Sequence, residues 1–312
     1  MDPLDTAAGW LAEHVALPAL WHLGLMRWEE LAYGWALFVV YGALQVGLMY
    51  ALCLPLERFY PIEQWRDRRA VAIDAFYTLL ARVGLLPLVA FVLFFTLQAE
   101  FRAWLADHGY VPPTLERLIP GLLGHPYLTF LIYALILDYA DYWRHRLSHR
   151  FGWWYALHAL HHAQRQMSFW SDDRNHLLDD FIAALWFGAI ALVIGVPPLQ
   201  FPLLVLVLRF VESLSHANTR LSFGWLGNRL LVSPLFHRTH HAIPAAGAAS
   251  CNYGAVFPFW DMLHGTARFI AHPGPTGDPT AAPALVSGSY LAQQWGGLEA
   301  FFRTLFPRRR PS

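Results

Sequence analysis

The chain has 312 residues, of which 56% are hydrophobic and 16% aromatic, while only 14% are charged. Soluble domains carry about 25% charged and about 45–50% apolar residues, and they rarely reach the mean hydropathy of +0.33 seen here. This composition excludes a disordered or collagen-like chain, and two cysteines are too few for a disulfide scaffold. A formal net charge of zero leaves no overall basic field for nucleic acid. We therefore expect an integral membrane protein.

Hydrophobic stretches predict an all-α bundle with four or five membrane spans. An amphipathic, interfacial helix over residues 10–28 precedes the first span, which is uncharged from Gly34 to Leu54 and long enough to cross a hydrocarbon layer of about 30 Å. The later spans are expected at about Asp74–Leu97, Tyr127–Trp143, Leu177–Val196 and Leu199–Leu214. Pro197 and Pro198 separate the last two, and each is short for a full crossing, which leaves the number of spans at four or five.

Arginine placement gives the predicted orientation. The loop at 56–72 holds four arginines, the segment at 144–174 holds five, and the C-terminal tail holds three in a row. The loop at 99–124 holds only two arginines, which are balanced by three acidic residues. The positive-inside rule then places the basic segments, and every histidine cluster with them, on the cytoplasmic side. All 22 basic residues are arginine, which is typical of a GC-rich genome. We therefore expect the inner membrane of a bacterium.

Eight histidines lie in three short clusters. HRLSH covers 145–149, HALHH follows after eight residues at 158–162, and HRTHH follows after 74 more at 237–241. Residues three and four apart share one face of a helix, so the imidazoles of each cluster point the same way. The candidate metal ligands are His145, His149, His158, His161, His162, His237, His240 and His241.

Convergent neutral imidazoles are the ligands that divalent transition metals require, and iron, zinc, copper and nickel all accept them. Eight histidines exceed the four-coordinate demand of one zinc and suit two metal ions. The spacing alone does not choose iron over zinc. The histidine-rich segments therefore predict a metal-binding cap on the cytoplasmic side of the bundle.

Two further histidines and several carboxylates join the candidates. His216 ends the fifth predicted span shortly before the third cluster, and we expect it to be a ligand. His176 begins the fourth span, where a ligand role and a supporting role are equally open. Asp138 and Asp141 precede His145 at helical spacing, and an aspartate so placed can accept the other ring N–H of a ligand histidine. For Asp138 the alternative is a pairing with Arg82 or another polar group of the bundle.

Asp179 and Asp180 can support His176 in the same way, although the preference for acidic residues at a helix N-terminus explains them almost as well. The isolated histidines are expected to be ordinary interfacial side chains; these are His14, His22, His108, His125 and His272.

The motif order resembles the fatty acid hydroxylase / sterol desaturase superfamily. DYWRHRLSH and SPLFHRTHH are similar to its histidine segments, and Asn252-Tyr253-Gly254 to its NYG signature. Trp260-Asp261 with Gly265-Thr266 resembles its WDxxFGT signature, although His264 stands where phenylalanine is usual. The resemblance covers about 125–268, so we divide the chain into an N-terminal part (1–124), a catalytic domain (125–268) and a loop with an interfacial tail helix (269–312).

The resemblance implies a centre of two iron ions that activates dioxygen and attacks an unactivated C–H bond of a lipid. By position, the eight clustered histidines become iron ligands and catalytic residues, and His216 matches an extra histidine of the family. Hydroxylation and desaturation both remain open, as do a fatty acyl, sterol-like or hopanoid, or ether lipid substrate. No flavin, nicotinamide or haem motif appears, so electrons must come from a separate ferredoxin- or cytochrome-type protein with its reductase.

Two other classes of function compete with this interpretation. A transition-metal transporter places its ligands near the middle of the bilayer on broken helices, whereas these histidines gather at one membrane face. A zinc-binding membrane scaffold needs fewer ligands and commonly uses cysteine, and Cys251 alone does not supply it.

Overall fold

The computed structural model describes residues 3–83, 96–195, 201–245 and 248–306, and these contain helices and loops but no β-strand. The predicted all-α class is confirmed. In the described residues the helices are α1 Pro3–Leu11, α2 Leu17–His22, α3 Glu29–Phe59, α4 Arg68–Arg82, α5 Thr96–Asp107, α6 Leu115–Leu118, α7 Pro126–Arg150, α8 Gly152–His162, α9 Leu177–Val193, α10 Phe201–His216, α11 Gly224–Leu230, α12 Pro234–His241, α13 Phe259–Leu263, α14 Pro283–Ser287 and α15 Tyr290–Leu305. A π-helical turn, Ala12–Ala16, joins α1 to α2, and short 3₁₀ turns lie at Met26–Trp28, Pro120–Leu122 and Phe169–Asp173.

Among the described residues, one helical stretch has the length and apolarity to cross a membrane. It runs from Met26 to Phe59, 34 residues that include an 18-residue window with a mean hydropathy of 2.0, and it contains the first predicted span. Within the described residues, which leave out 196–200, the helices at the fourth and fifth predicted spans have 17 and 16 residues, and a full crossing needs roughly 20. The arrangement of four or five spans, like the cytoplasmic orientation, stays a prediction.

The second predicted span is only partly visible. Its first half lies in α4, while positions 84–95 are outside the described residues. Asp67 starts α4 because its carboxylate accepts the backbone N–H groups of Arg69 and Ala70. Four residues apart on one face of α4 lie Asp74, Thr78 and Arg82, all buried. This polar face packs on the turn Phe169–Asp173, so α4 brings ionisable groups into the interior.

The long α3 passes very close to the end of α4. A methyl group at Gly42 would clash with the backbone carbonyl of Arg82, so only glycine lets the two helices meet there. Farther along α3, the carboxylate of Glu57 accepts the backbone N–H groups of Phe169 and Asn218, each at 2.8 Å. The N-terminal helices are therefore bonded to the segments that carry the histidines. The predicted boundaries at 124 and 268 stay predictions.

Two short connections and the tail helix place the histidine-bearing helices. The chain reverses at Phe151, so that α8 packs back against α7. Ser233 caps α12 by accepting the N–H of Phe236, and Pro234 occupies the first turn, where its missing N–H costs nothing. The tail helix α15 packs along α8, with Gln293 and Gly297 buried while Leu291 and Trp295 stay exposed. The last turns of α7, α8, α10 and α12 thus meet in one place.

A candidate metal centre built from nine histidines

Nine of the predicted histidines come together in two groups inside the bundle. Within each group the candidate ligand atoms all lie within 4.8 Å of one another. The five-histidine group contains His145, His149, His158, His162 and His240, and the four-histidine group contains His161, His216, His237 and His241. All are buried except His149, which is half-buried. Their helical spacing predicts that the histidines of each cluster share one helix face, and the fold brings those faces together.

In the four-histidine group the Nε2 atoms point at one another. The Nε2 atom of His216 lies 3.2 Å from that of His161 and 2.9 Å from that of His237. The Nε2 atoms of His237 and His241 are 3.2 Å apart. The helices α8, α10 and α12 each contribute at least one histidine to this group, so no single helix supplies all four candidate ligands.

The five-histidine group packs its rings edge to face. The Nε2 atoms of His162 and His240 are 3.1 Å apart, and the ring centres of His145 and His240 are 4.4 Å apart. His149 lies 4.7 Å from His162 by the same measure, with the two rings almost perpendicular. The two groups adjoin, because the ring centres of His162 and His241, one from each group, are also 4.4 Å apart.

The donor atoms fit metal ions. Among the described residues, no hydrogen-bond partner is present for the buried Nε2 atoms of His145, His149 and His158, and buried polar atoms are seldom left so. Imidazole nitrogens bind zinc in a tetrahedron at about 2.0–2.1 Å, so two of them on one ion lie about 3.3 Å apart. The spacings of 2.9–3.2 Å in the four-histidine group are close to that value. Both groups can therefore hold a transition-metal ion through imidazole nitrogen alone.

Backbone carbonyls fix the orientation of several rings. The Nδ1–H of His145 donates to the carbonyl of Tyr253 at 2.9 Å, and that of His240 donates to the carbonyl of Cys251 at 2.6 Å. His216 donates to the carbonyl of Glu212 at 2.8 Å. Because a neutral imidazole has only one N–H, these bonds leave the Nε2 lone pair facing the group.

Burial keeps the imidazoles neutral. Desolvation, reinforced by neighbouring imidazoles, holds the pKa values of His161, His162 and His241 well below the usual range. Desolvation is also the main cause that lowers the pKa of His240 to about 3. A neutral imidazole is the form that binds a metal ion, so no proton has to be removed at neutral pH.

His176 is the predicted histidine that the fold does not bring to either group. Its Nε2–H donates to the carbonyl of Gln294 at 2.7 Å, and its Nδ1 accepts the backbone N–H of Leu178 at 3.1 Å. Both ring nitrogens are therefore used, and no lone pair is left for a metal. The ring packs against Gly297 of α15. The structure thus corrects the interpretation of His176 as a ligand: it caps α9 and holds the tail helix.

The two predicted supporting aspartates also do something else. The carboxylate of Asp138 accepts the backbone N–H groups of Val256 and Phe257 and the Nε1–H of Trp260, at 2.9–3.0 Å. Asp141 pairs with Arg144 at 2.5 Å. Neither bonds a candidate ligand, because the fold gives the N–H of His145 to a backbone carbonyl. The alternative for Asp138 was a pairing with Arg82 or another polar group of the bundle. The pairing with Arg82 is wrong, since Arg82 pairs with Asp172 and Asp173, whereas the bond to Trp260 fits the second possibility.

Two aspartates that do contact candidate ligands were missed or given another partner. Asp179 accepts from His158, not from His176, at 3.0 Å. Asp172 lies 3.5 Å from Nδ1 of His216. Helical spacing gives no signal for either contact, because each joins different elements of the fold. The sequence hint available was the acidic pair Asp172-Asp173 in the short segment between the second histidine cluster and the fourth predicted span.

An apolar groove of about 460 Å³ lies between α7 and α9 and is lined by Tyr139, Trp143, Leu147 and Trp186 among others. On α7 these residues are on the face opposite His145 and Asp138. The groove is therefore lateral to the histidine groups and does not open onto them from that side.

Comparison with known proteins agrees with the motifs. The fatty acid hydroxylase family matches residues 130–266, a segment that contains all nine grouped histidines. This segment is a fatty acid hydroxylase domain. Cholesterol 25-hydroxylase-like protein 2 of Danio rerio is 28% identical to the chain over 165 residues, which cover 51% of this chain and 54% of the relative.

The fatty acid hydroxylase domain has further relatives among characterised lipid enzymes. Methylsterol monooxygenase 1-3 of Arabidopsis thaliana is 25% identical over 173 residues, covering 51% of this chain and 52% of the relative. Alkylglycerol monooxygenase of Caenorhabditis elegans is 26% identical over 147 residues, covering 47% of this chain and 28% of the relative. The chain thus spans between about a quarter and about half the length of these relatives. No solved structure matches the chain. The resemblance to the fatty acid hydroxylase / sterol desaturase superfamily is confirmed.

Proposed function

We propose that this protein is a membrane-bound, dioxygen-dependent oxidoreductase that holds two iron ions and hydroxylates or desaturates an aliphatic position of a lipid. The observation that carries the proposal is the convergence of nine imidazoles, eight of them buried and one half-buried, into two adjoining groups. Two metal ions held only by nitrogen, next to helices rich in exposed apolar side chains, suit oxidation of a substrate that stays in the bilayer.

The chemistry requires four ingredients and balances with them. Hydroxylation consumes one C–H bond, one dioxygen, two electrons and two protons, and yields an alcohol and one water. Desaturation uses the same oxidant, electrons and protons, and yields an alkene and two waters. When bound, the iron pair would supply dioxygen activation. A ferredoxin- or cytochrome-type protein with its reductase would deliver the electrons.

The residues of this chain would bind the metal ions, orient the ligand rings and shield the centre from water. The imidazoles would hold the metals through Nε2, with the Nδ1–H bonds to Tyr253 and Cys251 keeping two of the rings in place. Buried surroundings exclude water from the centre and so limit side reactions. Asp138 and Asp261 each accept several N–H groups of the segment at 253–260, which fixes the loop that carries those two carbonyls.

A lipid substrate is supported by the apolar exterior and by the relatives. Large apolar side chains such as Phe38, Leu48, Leu185 and Leu203 are exposed along α3, α9 and α10, which is costly in water and natural in hydrocarbon. The named relatives act on cholesterol, a methylsterol and alkylglycerols. We propose an acyl, sterol-like or hopanoid, or ether lipid, in the inner membrane of a bacterium, with the metal centre on the cytoplasmic side.

The compact ligand arrangement weighs against the alternatives. A transporter needs a path of sites near the middle of the bilayer, whereas these imidazoles form two closed groups at helix ends. A structural zinc site takes four ligands, fewer than the nine present.

The test combines metal analysis with lipid analysis. The protein is purified in detergent, loaded with ferrous iron without oxygen, and its iron content per chain is measured. Lipid extracts of source cells with and without the gene are compared by high-resolution mass spectrometry. We expect two irons per chain and one lipid class shifted by one oxygen or by the loss of two hydrogens. Metal uptake into vesicles without any lipid change would instead establish transport, and zinc binding without either would favour a scaffold.

A further inference from the structure

Each histidine group touches one buried aspartate of its own. Asp179, at the start of α9, contacts His158 of the five-histidine group. Asp172, in the turn Phe169–Asp173, contacts His216 of the four-histidine group. Both carboxylates are buried, with exposed fractions of 3% and 6%. No other aspartate or glutamate side chain of the described residues pairs with one of the nine grouped histidines.

The contact of Asp179 is a direct hydrogen bond. One carboxylate oxygen accepts the Nδ1–H of His158 at 3.0 Å, and the other accepts the Nε1–H of Trp154 at 2.8 Å. Trp154 lies one helical turn before His158 on α8, so both hydrogen bonds to Asp179 come from the same face of that helix. With its proton held on Nδ1, His158 presents its Nε2 lone pair to the group, and that atom has no other partner among the described residues.

The contact of Asp172 is part of a larger buried assembly. Its Oδ1 lies 3.5 Å from Nδ1 of His216, whose N–H is directed at the carbonyl of Glu212. Its Oδ2 accepts from Arg82 at 2.7 Å and from Ser213 at 2.8 Å. Arg82 also bonds Asp173 at 2.6 Å. The carboxylate is therefore fixed from α4 and α10 at once, and its charge lies beside the ring that binds through Nε2.

A carboxylate beside the outer nitrogen of a metal-bound imidazole fixes the tautomer and raises the basicity of the ring, and its loss typically weakens metal binding about 10–100-fold. The two aspartates belong to different elements, Asp172 to the turn Phe169–Asp173 and Asp179 to α9. Neither contacts a histidine of the other group among the described residues. A substitution at one is therefore expected to act on one metal position only.

We infer that Asp179 and Asp172 are the separate positioning residues of the two metal positions, Asp179 through His158 and Asp172 through His216. Arg82, from outside the fatty acid hydroxylase domain, supports the second of them. The inference rests on the proposed pair of metal ions. It adds that each metal position has its own positioning aspartate, so that metal binding at one position can be weakened without the other.

The chain offers a matched control for both aspartates. Asp141 is also buried, and it pairs with an arginine, Arg144, at 2.5 Å. Among the described residues it contacts no grouped histidine, and it bonds neither the turn Phe169–Asp173 nor the loop at 251–260. D141N therefore removes a buried, paired carboxylate without touching a candidate ligand or a segment that holds one.

The experiment titrates iron out of the purified, iron-loaded protein with a chelator and follows iron per chain together with its Mössbauer spectrum. We expect D179N and D172N each to lose one iron at a chelator concentration about 10–100-fold below that needed for the unmodified protein. The iron that remains should give different spectra in the two variants. D141N should lower the yield or the melting temperature while keeping both irons at unchanged affinity.

Double variants assign each loss to a group. H158A with D179N should lose no more iron than H158A alone, whereas H158A with D172N should lose both. If D179N or D172N fails to fold, W154F and S213A remove one support of each carboxylate and should weaken the same positions to a lesser extent.

Three results separate the inference from the function it rests on. Retention of both irons by D179N and D172N at unchanged affinity overturns the inference. Loss of both irons together in either variant overturns the separate assignment. If the unmodified protein never holds two irons, the proposed function itself is wrong.

Discussion

At the scale of single residues, the allocation of one proton per imidazole decides what each histidine can do. His145 and His240 give their N–H to a backbone carbonyl and keep Nε2 free for a metal. His176 uses both nitrogens and keeps nothing free. The same residue type at similar burial thus has opposite roles, and the difference lies in partners that are remote in the sequence.

Replacing His161 by alanine should abolish metal binding at the four-histidine group. His161 supplies one of the four converging Nε2 atoms and lies 3.2 Å from that of His216. Iron per chain should fall from two to one, and lipid oxidation should stop. H14A is the control, because His14 is exposed and stacks on Trp10 near the N-terminus; full activity in H161A would contradict the ligand assignment.

Replacing His176 by alanine should leave both irons in place but loosen the tail helix. The variant loses the cap on Leu178 and the bond to Gln294, worth together about 1–2 kcal/mol. A lower melting temperature with unchanged iron content is the expected result in a thermal scan with metal analysis. Loss of one iron in H176A would restore the ligand interpretation.

At the scale of elements, α4 matters because its buried face is polar. Asp74, Thr78 and Arg82 recur every four residues and each bonds the segment at 170–174. Gly42 permits this by letting α3 lie against the end of α4. The helix therefore acts as a support for the turn that carries Asp172, although its sequence reads as the beginning of an apolar span.

Substituting Gly42 by alanine should push α4 away from α3. The added methyl group meets the carbonyl of Arg82, and overpacking of this kind costs about 1–3 kcal/mol. Iron should be lost first from the four-histidine group, since Arg82 holds Asp172. G47A lies on the same helix with nothing within 4 Å of the new methyl group. It should keep both irons and raise the stability by about 0.5–1 kcal/mol, because alanine is the better helix former. Equal behaviour of the two variants would show that the close approach is unimportant.

The elements themselves were largely predictable and their partners were not. Apolar runs and helical histidine spacing identified the helices around 34–54, 127–149 and 158–162, because these signals are local. The grouping of His161 with His216 and His237, and of His162 with His240, depends on how α8, α10 and α12 cross. Asp179 was assigned to the wrong histidine for the same reason: adjacency in the sequence suggested His176, whereas packing of α9 on α8 delivered His158.

At the scale of the whole molecule, the interior carries far more ionisable groups than an apolar composition suggests. Burial lowers the pKa values of His161, His162, His237, His240 and His241 in the folded chain. In the unfolded chain each returns to about 6.5. The free energy of unfolding of the metal-free protein therefore depends on pH through these buried histidines.

Acid should destabilise the metal-free protein. Because the folded pKa values lie below the unfolded ones, the unfolded chain binds more protons as the pH falls below about 6.5, and each additional proton costs the folded state about 1.4 kcal/mol per pH unit. The stability is fully present above that pH and declines below it. We expect a lower melting temperature at pH 5.5 than at pH 7.5, with a smaller drop in H240A, which lacks one of these buried groups. A melting temperature that does not change over this range would contradict the buried, neutral state of the imidazoles.

Sequence neighbours His161 and His162 serve different groups, and α12 divides its histidines in the same manner. The distance between the two proposed metal positions is therefore set by the geometry of adjacent residues on one helix, and the movement of a loop does not change it. Each position can be occupied on its own, but both depend on the same two helices, α8 and α12. A fragment of the chain without α8 or without α12 would lack candidate ligands of both groups, so the pair has to be engineered as a single unit.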